Sequence, residues 1–331
     1  MKILYAIQGT GNGHLSRARD IIPILQQKGD LDILVSGIQA DVALPYELAY
    51  RFKGLSFIFG KKGGIDLWET YQKSNLRNLY KEIQSLPVDQ YDLVLNDFEP
   101  VSAWACKWKK KTCIGLSHQA AVINKKSPRP IANDIIGETI LHQYAPVTTA
   151  YGFHFDLYDE NIYHPVIRTP IRLAQPADEG YYTVYLPAYG DEKIIEVLSK
   201  IADVQWRVFS KHSKRSYQHR NVSIQPINNE LFITELINCK GILCGAGFET
   251  PAEALYLKKK LMVIPMKGQY EQQCNAAALE KMGVPVIMSL ENKHVDTIAH
   301  WIQHLAPIPT NYTNNTEAII DMIIDKHANA R

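Results

Sequence analysis

Residues 241–283 restrict the fold more than any other part of the chain. A short apolar run, Ile242-Leu243-Cys244, predicts a buried strand. Gly245-Ala246-Gly247 predicts a turn of very small side chains. Thr250, Pro251 and Glu253 then open a helix, with a hydroxyl at the cap, a proline in the first turn and an acid three residues on. Leu261-Met262-Val263-Ile264 predicts the next strand, stopped by Pro265. A loop with Gly268 and Gln269 leads into a second helix carrying Glu271, Gln272 and Asn275 near its start. This alternation belongs to a parallel sheet whose strand ends face a ligand. Helix starts at that edge favour an anion. On these residues alone, plain scaffold is an equal reading.

The amino-terminal end repeats the pattern. Residues 3–7 predict a strand, followed by the loop Gly9-Thr10-Gly11-Asn12-Gly13-His14 and a helix from Leu15. Glycines at 9, 11 and 13 let the backbone turn sharply and approach a ligand closely. A dinucleotide fingerprint needs glycine where His14 stands, and no Gly-Lys-Ser/Thr of a phosphate-binding loop is present. His14 at a helix start is kept neutral by the helix dipole and is a candidate base, or else it caps and packs. Residues 93–95 predict a buried strand with Asn96-Asp97-Phe98-Glu99-Pro100 at its end. Asp97 is the better partner for a base and Glu99 the weaker one. The alternative for Asp97 is to cap the helix predicted over 101–108. Ser117-His118-Gln119 ends the strand predicted over 112–116, which puts His118 on the same edge. Trp104 and Trp108 with Lys107, Lys109, Lys110 and Lys111 read as a solvated helix end or a face for an anionic membrane surface.

A chain of 331 residues predicts two domains, and prolines 165, 170 and 176 mark the crossover between them. The expected units are residues 1–165, residues 166–310 and a terminal helix over 311–331 that packs back toward the first unit. Further strands are expected over 55–58 and 286–288, a helix over 131–144, and a polar basic loop over 211–220. A net charge of +2 gives no case for nucleic acid. The five cysteines lack any zinc spacing and predict buried thiols in a reducing compartment, with no metal site. No apolar run is long enough to span a membrane and the first residues do not form a leader, so the cytoplasm is the expected location, with peripheral contact at the inner membrane face.

Two segments carry a resemblance over nearly the whole chain. Residues 9–17, with their glycine loop and histidine, and residues 245–275, with Gln272-x-x-Asn275-Ala276, resemble glycosyltransferases of the two-domain GT-B type. The branch most similar contains the N-acetylglucosaminyl transferase of peptidoglycan lipid synthesis and the macrolide and plant UDP-sugar transferases. The resemblance implies two doubly wound α/β domains facing across a cleft. It implies inverting transfer from a nucleotide-sugar donor, a UDP-sugar, to a hydroxyl acceptor of open identity, with no permanently bound cofactor; separately, the basic and aromatic patch of Trp104 to Lys111 raises a lipid-linked or membrane-surface acceptor. His14 is then the base and Asp97 orients it. Glu253 accepts from the donor ribose. Gly245, Gly247 and Thr250 lie beside the diphosphate, and Glu271 and Gln272 read the sugar hydroxyls. Asn275 belongs to the same pattern, and the backbone at Ile227 meets the base. Gly11, Asn12, Gly13 and Tyr189 complete the donor side, and Glu99 and His118 the acceptor side. The chain departs from the lipid-pathway enzyme at Leu186-Pro187-Ala188-Tyr189-Gly190, which has a single glycine, and in the bulky Phe248. Two rival readings stay open: a UDP-N-acetylglucosamine epimerase using His118, Asp97 and Glu99, and a nucleotide-sugar-binding protein without transfer activity.

Overall fold

The computed structural model describes residues 1–37, 44–55, 76–131 and 134–328. Within them the first sheet comprises β1 (Lys2–Gln8), β2 (Asp30–Ser36), β3 (Tyr50–Phe52), β4 (Leu93–Asp97), β5 (Ile114–Ser117), β6 (Thr149–Phe153) and β7 (Ile162–Tyr163). Its spatial order is β3-β2-β1-β4-β5-β6-β7. The second comprises β8 (Tyr182–Tyr185), β9 (Trp206–Ser210), β10 (Tyr217–His219), β11 (Val222–Pro226), β12 (Gly241–Gly245) and β13 (Lys260–Ile264), in the order β10-β11-β9-β8-β12-β13. The first sheet is parallel; in the second, only the edge strand β10 runs antiparallel, against β11. Central strands read as unbroken apolar runs because helices cover both faces: Ile3, Leu4, Tyr5, Ala6 and Ile7 of β1 are all buried.

Both sheets reverse their winding beside their first strand. The chain leaves β1 for β2 on one side and later returns to place β4 on the other. It treats β8 in the same way, with β9 on one side and β12 on the other. Ligand crevices form at such switch points, outside the carboxyl ends of the strands. The molecule is therefore two doubly wound α/β domains, the architecture the resemblance implies.

Helix Asn12–Lys28 buries Leu15, Ala18, Ile21, Ile22 and Leu25, the three-and-four spacing of one helix face. The last helix, Thr316–His327, adds Ile319, Ile320, Ile323 and Ile324 to the same core. Lys28 Nζ reaches Glu317 Oε1 at 3.2 Å and Asp321 Oδ1 at 2.7 Å. Tyr312, just before that helix, donates from its hydroxyl to Phe155 O at 2.8 Å.

Several local expectations shift. The strand expected over 55–58 lies largely outside the described residues, and β3 forms at Tyr50–Phe52 instead. Residues 286–288 yield only a bridge between Val263 and Val286, because Pro285 has no N–H to extend a ladder. The helix expected from 131 begins at Ile135, where Asp134 accepts from Gly137 N and sets the start. The basic loop over 211–220 contains β10, whose three residues are all exposed and so show no alternation in the sequence. The five cysteines are buried and unbridged. Among the described residues, no helix is long and apolar enough to cross a membrane.

Candidate active site

The parallel pairing of β1 and β4 sets Ile7 opposite Asp97, so the glycine loop after β1 lies beside the end of β4. Gly11, at φ 92°, makes the turn that starts helix Asn12–Lys28. His14, the third residue of that helix, places Nδ1 2.8 Å from Asp97 Oδ1. Arg17 lies one turn further along the same face. Its Nη2 donates to both Asp97 oxygens at 2.7 and 2.8 Å and stands 3.2 Å from His14 Nδ1. Its Nη1 crosses to the second domain and donates to Glu249 Oε1 at 2.6 Å. Burial alone raises the Asp97 carboxyl, but Arg17 and His14 outweigh it and hold the group below the usual carboxylate range. Asp97 is thus an ion at neutral pH, fixed from two sides.

Phe98 follows at φ 56°, a left-handed conformation that costs an aromatic residue energy. The turn brings its ring parallel to the His14 imidazole, with centroids 6.5 Å apart, and within 4.8 Å of the Tyr144 ring. His14 Nε2 lies 3.3 Å from Gln119 Nε2, which also donates to Glu271 Oε2 at 3.0 Å. A cavity of about 290 Å³ opens here, lined by His14, Phe98, Gln119 and Ile140 of the first domain and by Tyr270 and Glu271 of the second. Burial pushes the Glu271 carboxyl up, against the Gln119 hydrogen bond.

Helices Asn12–Lys28, Asp191–Leu198, Glu249–Tyr256 and Tyr270–Lys281 start with no side-chain cap among the described residues. The loops before the first three carry Gly11, Tyr189, and Gly245 with Gly247, and the fourth helix carries Glu271 and Gln272 in its own first turn; helices Val295–His304 and Thr316–His327 also start uncapped. By contrast Glu99, Ser117, Asp134 and Asn228 cap their helices. Uncapped starts leave N–H groups for an anion. The space in front of Gly247 is open, and Gly245 is nearly so. A Cβ on Gly13 would lie 2.5 Å from Glu249 Oε2, so a larger residue there would displace this carboxylate from its present position. Asn12 is the first residue of its helix. Thr250 is the second residue of helix Glu249–Tyr256, not its cap, which is Phe248. Ile227 is half-buried just after β11, and Tyr189 accepts from Leu290 N at 3.1 Å through its hydroxyl. Gln272 Oε1 accepts from Met266 N at 2.9 Å and so braces its own loop.

Three expected site residues are corrected by their surroundings. Glu99 does not face the cavity: it is 0% exposed, accepts from Val101 N and Ser102 N, and takes the Ser36 hydroxyl at 2.6 Å. It caps the helix that Asp97 was the alternative candidate to cap. Glu99→Ala should therefore cost about 1–2 kcal/mol of stability, read as a lower urea midpoint; an unchanged midpoint would refute the cap's role. His118 and Asn275 are also enclosed. The imidazole stacks on Phe248 at 3.8 Å, and its nitrogens lie 2.8 Å from Phe153 O and from Asn275 Oδ1. Asn275 Nδ2 donates to Ala246 O at 3.1 Å. Burial lowers the His118 pKa to about 3, against its hydrogen bonds to Phe153 O and Asn275. These residues and Phe248 join the two domains behind the cavity. Trp104, read as part of a surface patch, donates from Nε1 to Tyr144 O at 3.2 Å, while Trp108 is exposed.

Sequence reasoning missed Arg17, Gln119, Arg168 and Glu249. A signal existed for two of them: Arg17 follows His14 by three residues and Glu249 precedes Glu253 by four, each spacing that of one helix face. Glu253 itself is 2% exposed, and Arg168 holds both of its oxygens, Nε to Oε1 at 2.5 Å and Nη2 to Oε2 at 2.6 Å.

A family model described as glycosyl transferase family 1 matches residues 1–306. The chain belongs to glycosyl transferase family 1. Solved structures give this family member its GT-B fold. Medicago truncatula UGT71G1 complexed with UDP-glucose has a TM-score of 0.62 at 12% identity, over 99% of this chain and 98% of that one. Arabidopsis thaliana UGT89C1 complexed with UDP has a TM-score of 0.61 at 12% identity, over 98% and 94%. Acinetobacter baumannii MurG has a TM-score of 0.56 at 14% identity, over 98% and 99%. No curated protein matches the chain in sequence. This family member thus brings His14, with Asp97 behind it, and the start of helix Tyr270–Lys281 to one cavity.

Proposed function

We propose that the protein transfers a sugar from a UDP-sugar to a hydroxyl acceptor with inversion at the anomeric carbon, His14 acting as base. The observation that carries this reading is the 2.8 Å contact between His14 Nδ1 and Asp97 Oδ1, with Nε2 on the side of the cavity shared by both domains. Nδ1–H donates to the carboxylate, which puts the lone pair on Nε2, where the acceptor hydroxyl takes the place of the Gln119 amide now 3.3 Å away. Nε2 takes the acceptor proton as the acceptor oxygen forms its bond to the anomeric carbon. The bond from that carbon to the diphosphate breaks, and the electron pair leaves with the nucleoside diphosphate. Uncapped starts of helices Glu249–Tyr256 and Tyr270–Lys281 supply N–H groups for the growing charge. Glu253 accepts from the ribose. Phe98, Ile140 and Tyr270 give the cavity an apolar wall, which supports an acceptor with an apolar body.

The test begins with a calorimetric screen of UDP, GDP, dTDP and CDP, then of sugars on the nucleotide that binds. The product of the best donor is examined by proton NMR. An α-linked donor should give a β-linked product. A product that keeps the α configuration would remove the single-displacement mechanism and the role of His14 with it.

A further inference from the structure

His14 Nδ1 has two neighbours that make opposite demands on it. Asp97 Oδ1, 2.8 Å away, accepts and calls for Nδ1–H. Arg17 Nη2, 3.2 Å away, donates and calls for a bare lone pair. A neutral imidazole has one N–H, so the choice at Nδ1 also fixes the state of Nε2. Nη2 carries two hydrogens and has three acceptors in reach: Nδ1 and the two Asp97 oxygens, at 2.7 and 2.8 Å. With the proton on Nδ1, both Nη2 hydrogens go to the carboxylate and the Gln119 amide meets the Nε2 lone pair at 3.3 Å. With the proton on Nε2, Nη2 turns one hydrogen to Nδ1. The position of the guanidinium decides between the two arrangements. Its Nε is buried with no partner among the described residues. The group is therefore held through Nη2 and through Nη1, which donates to Glu249 Oε1 at 2.6 Å. Glu249 is the first residue of helix Glu249–Tyr256 in the second domain, and its other oxygen lies against Gly13.

We infer that Glu249 is a positioning residue for His14: from the second domain it draws the Arg17 guanidinium away from Nδ1, so that the ring keeps its proton toward Asp97 and its lone pair on Nε2. This rests on the reading of His14 as the base. The charge of Glu249 acts together with its position. A guanidinium beside Nδ1 favours a lone pair there, and a carboxylate on the guanidinium's other nitrogen offsets that field. Arg17 is 1% exposed, and charges at such a depth are weakly screened. Glu249 reaches Arg17 only where the two domains meet. The base is then set by the joined domains and not by the first domain alone.

Nitrogen NMR of the whole protein, carrying isotope-labelled histidine, tests this without knowledge of donor or acceptor. A ring nitrogen that bears hydrogen and one that does not are well separated in shift, and His14→Ala identifies the signals. Neutral His14 in the wild type should carry its hydrogen on Nδ1. Glu249→Met should raise the ratio of Nε2–H to Nδ1–H by about tenfold to a hundredfold, the weight of one hydrogen bond to a charged group. Glu249→Gln keeps an oxygen for Nη1 without the charge and should raise it less. Gly13→Ala pushes the carboxylate aside with both side chains of the pair intact, and should shift the ratio in the same direction. Turnover should fall with the share of Nδ1–H, while UDP binds no more weakly than to the wild type. Unchanged nitrogen shifts in the Glu249 variants, with or without a loss of turnover, would overturn the inference and leave His14 standing as base. A wild-type ring with its hydrogen on Nε2 would overturn the reading of His14 and the inference together.

Discussion

His14→Ala should lower turnover by about a thousandfold at saturating donor and acceptor, within the range a positioned base contributes. The dissociation constant for UDP should change by less than about threefold. The separation follows from position: Nδ1 faces Asp97 and Nε2 the cavity, while the uncapped start of helix Glu249–Tyr256 lies in the other domain. Asp97→Asn should lose activity for a related reason. An amide can offer its N–H to Nδ1, which puts the imidazole proton on Nε2 and removes the lone pair from the acceptor side. Single-turnover kinetics with the donor found by the screen would measure both. Unchanged turnover in His14→Ala would end its assignment as base.

The second large effect falls on stability. Arg17 is 1% exposed and pairs with two carboxylates. Burial works against its charge, and Asp97 with Glu249 more than offset that. Arg17→Met strands Asp97 inside the first domain and should cost about 3–5 kcal/mol, seen as a lower urea midpoint. The loss has a pH signature. In the folded wild type the Asp97 carboxyl lies below its unfolded value, which is about 3.9. The stability it contributes is therefore full above that value and fades as pH falls through the folded one. The gap between wild type and Arg17→Met should be widest at neutral pH and narrower below about pH 4. A gap that does not change with pH would mean that packing, and not the ion pair, carries the loss.

How far the sequence disclosed this site follows from which interactions are local. The alternation of strand, small-residue turn and helix over 241–283 is a local pattern, and β12, helix Glu249–Tyr256, β13 and helix Tyr270–Lys281 form there. His14 and Asp97 were within reach because both sit at strand ends, and strand ends share an edge. Glu99 was misplaced because a cap and a cleft residue have the same spacing from a strand end; only burial separates them. His118 and Asn275 were misread for a different reason. Their partners are each other, 157 residues apart, and polar residues on a ligand edge give no sign that the opposite domain has closed over them. Arg168 lay in a stretch legible only as a crossover, since its meaning depends on Glu253, 85 residues later.

The chain passes between the domains twice. One passage follows β7, and the other runs through Tyr312 into helix Thr316–His327, which packs on helix Asn12–Lys28. A body fixed to another at one point keeps three rotations; fixed at two, it keeps the one about the line joining them. Two tethers therefore narrow the ways the domains can part, and the pairs Glu249–Arg17 and Glu253–Arg168 bridge them in this structure.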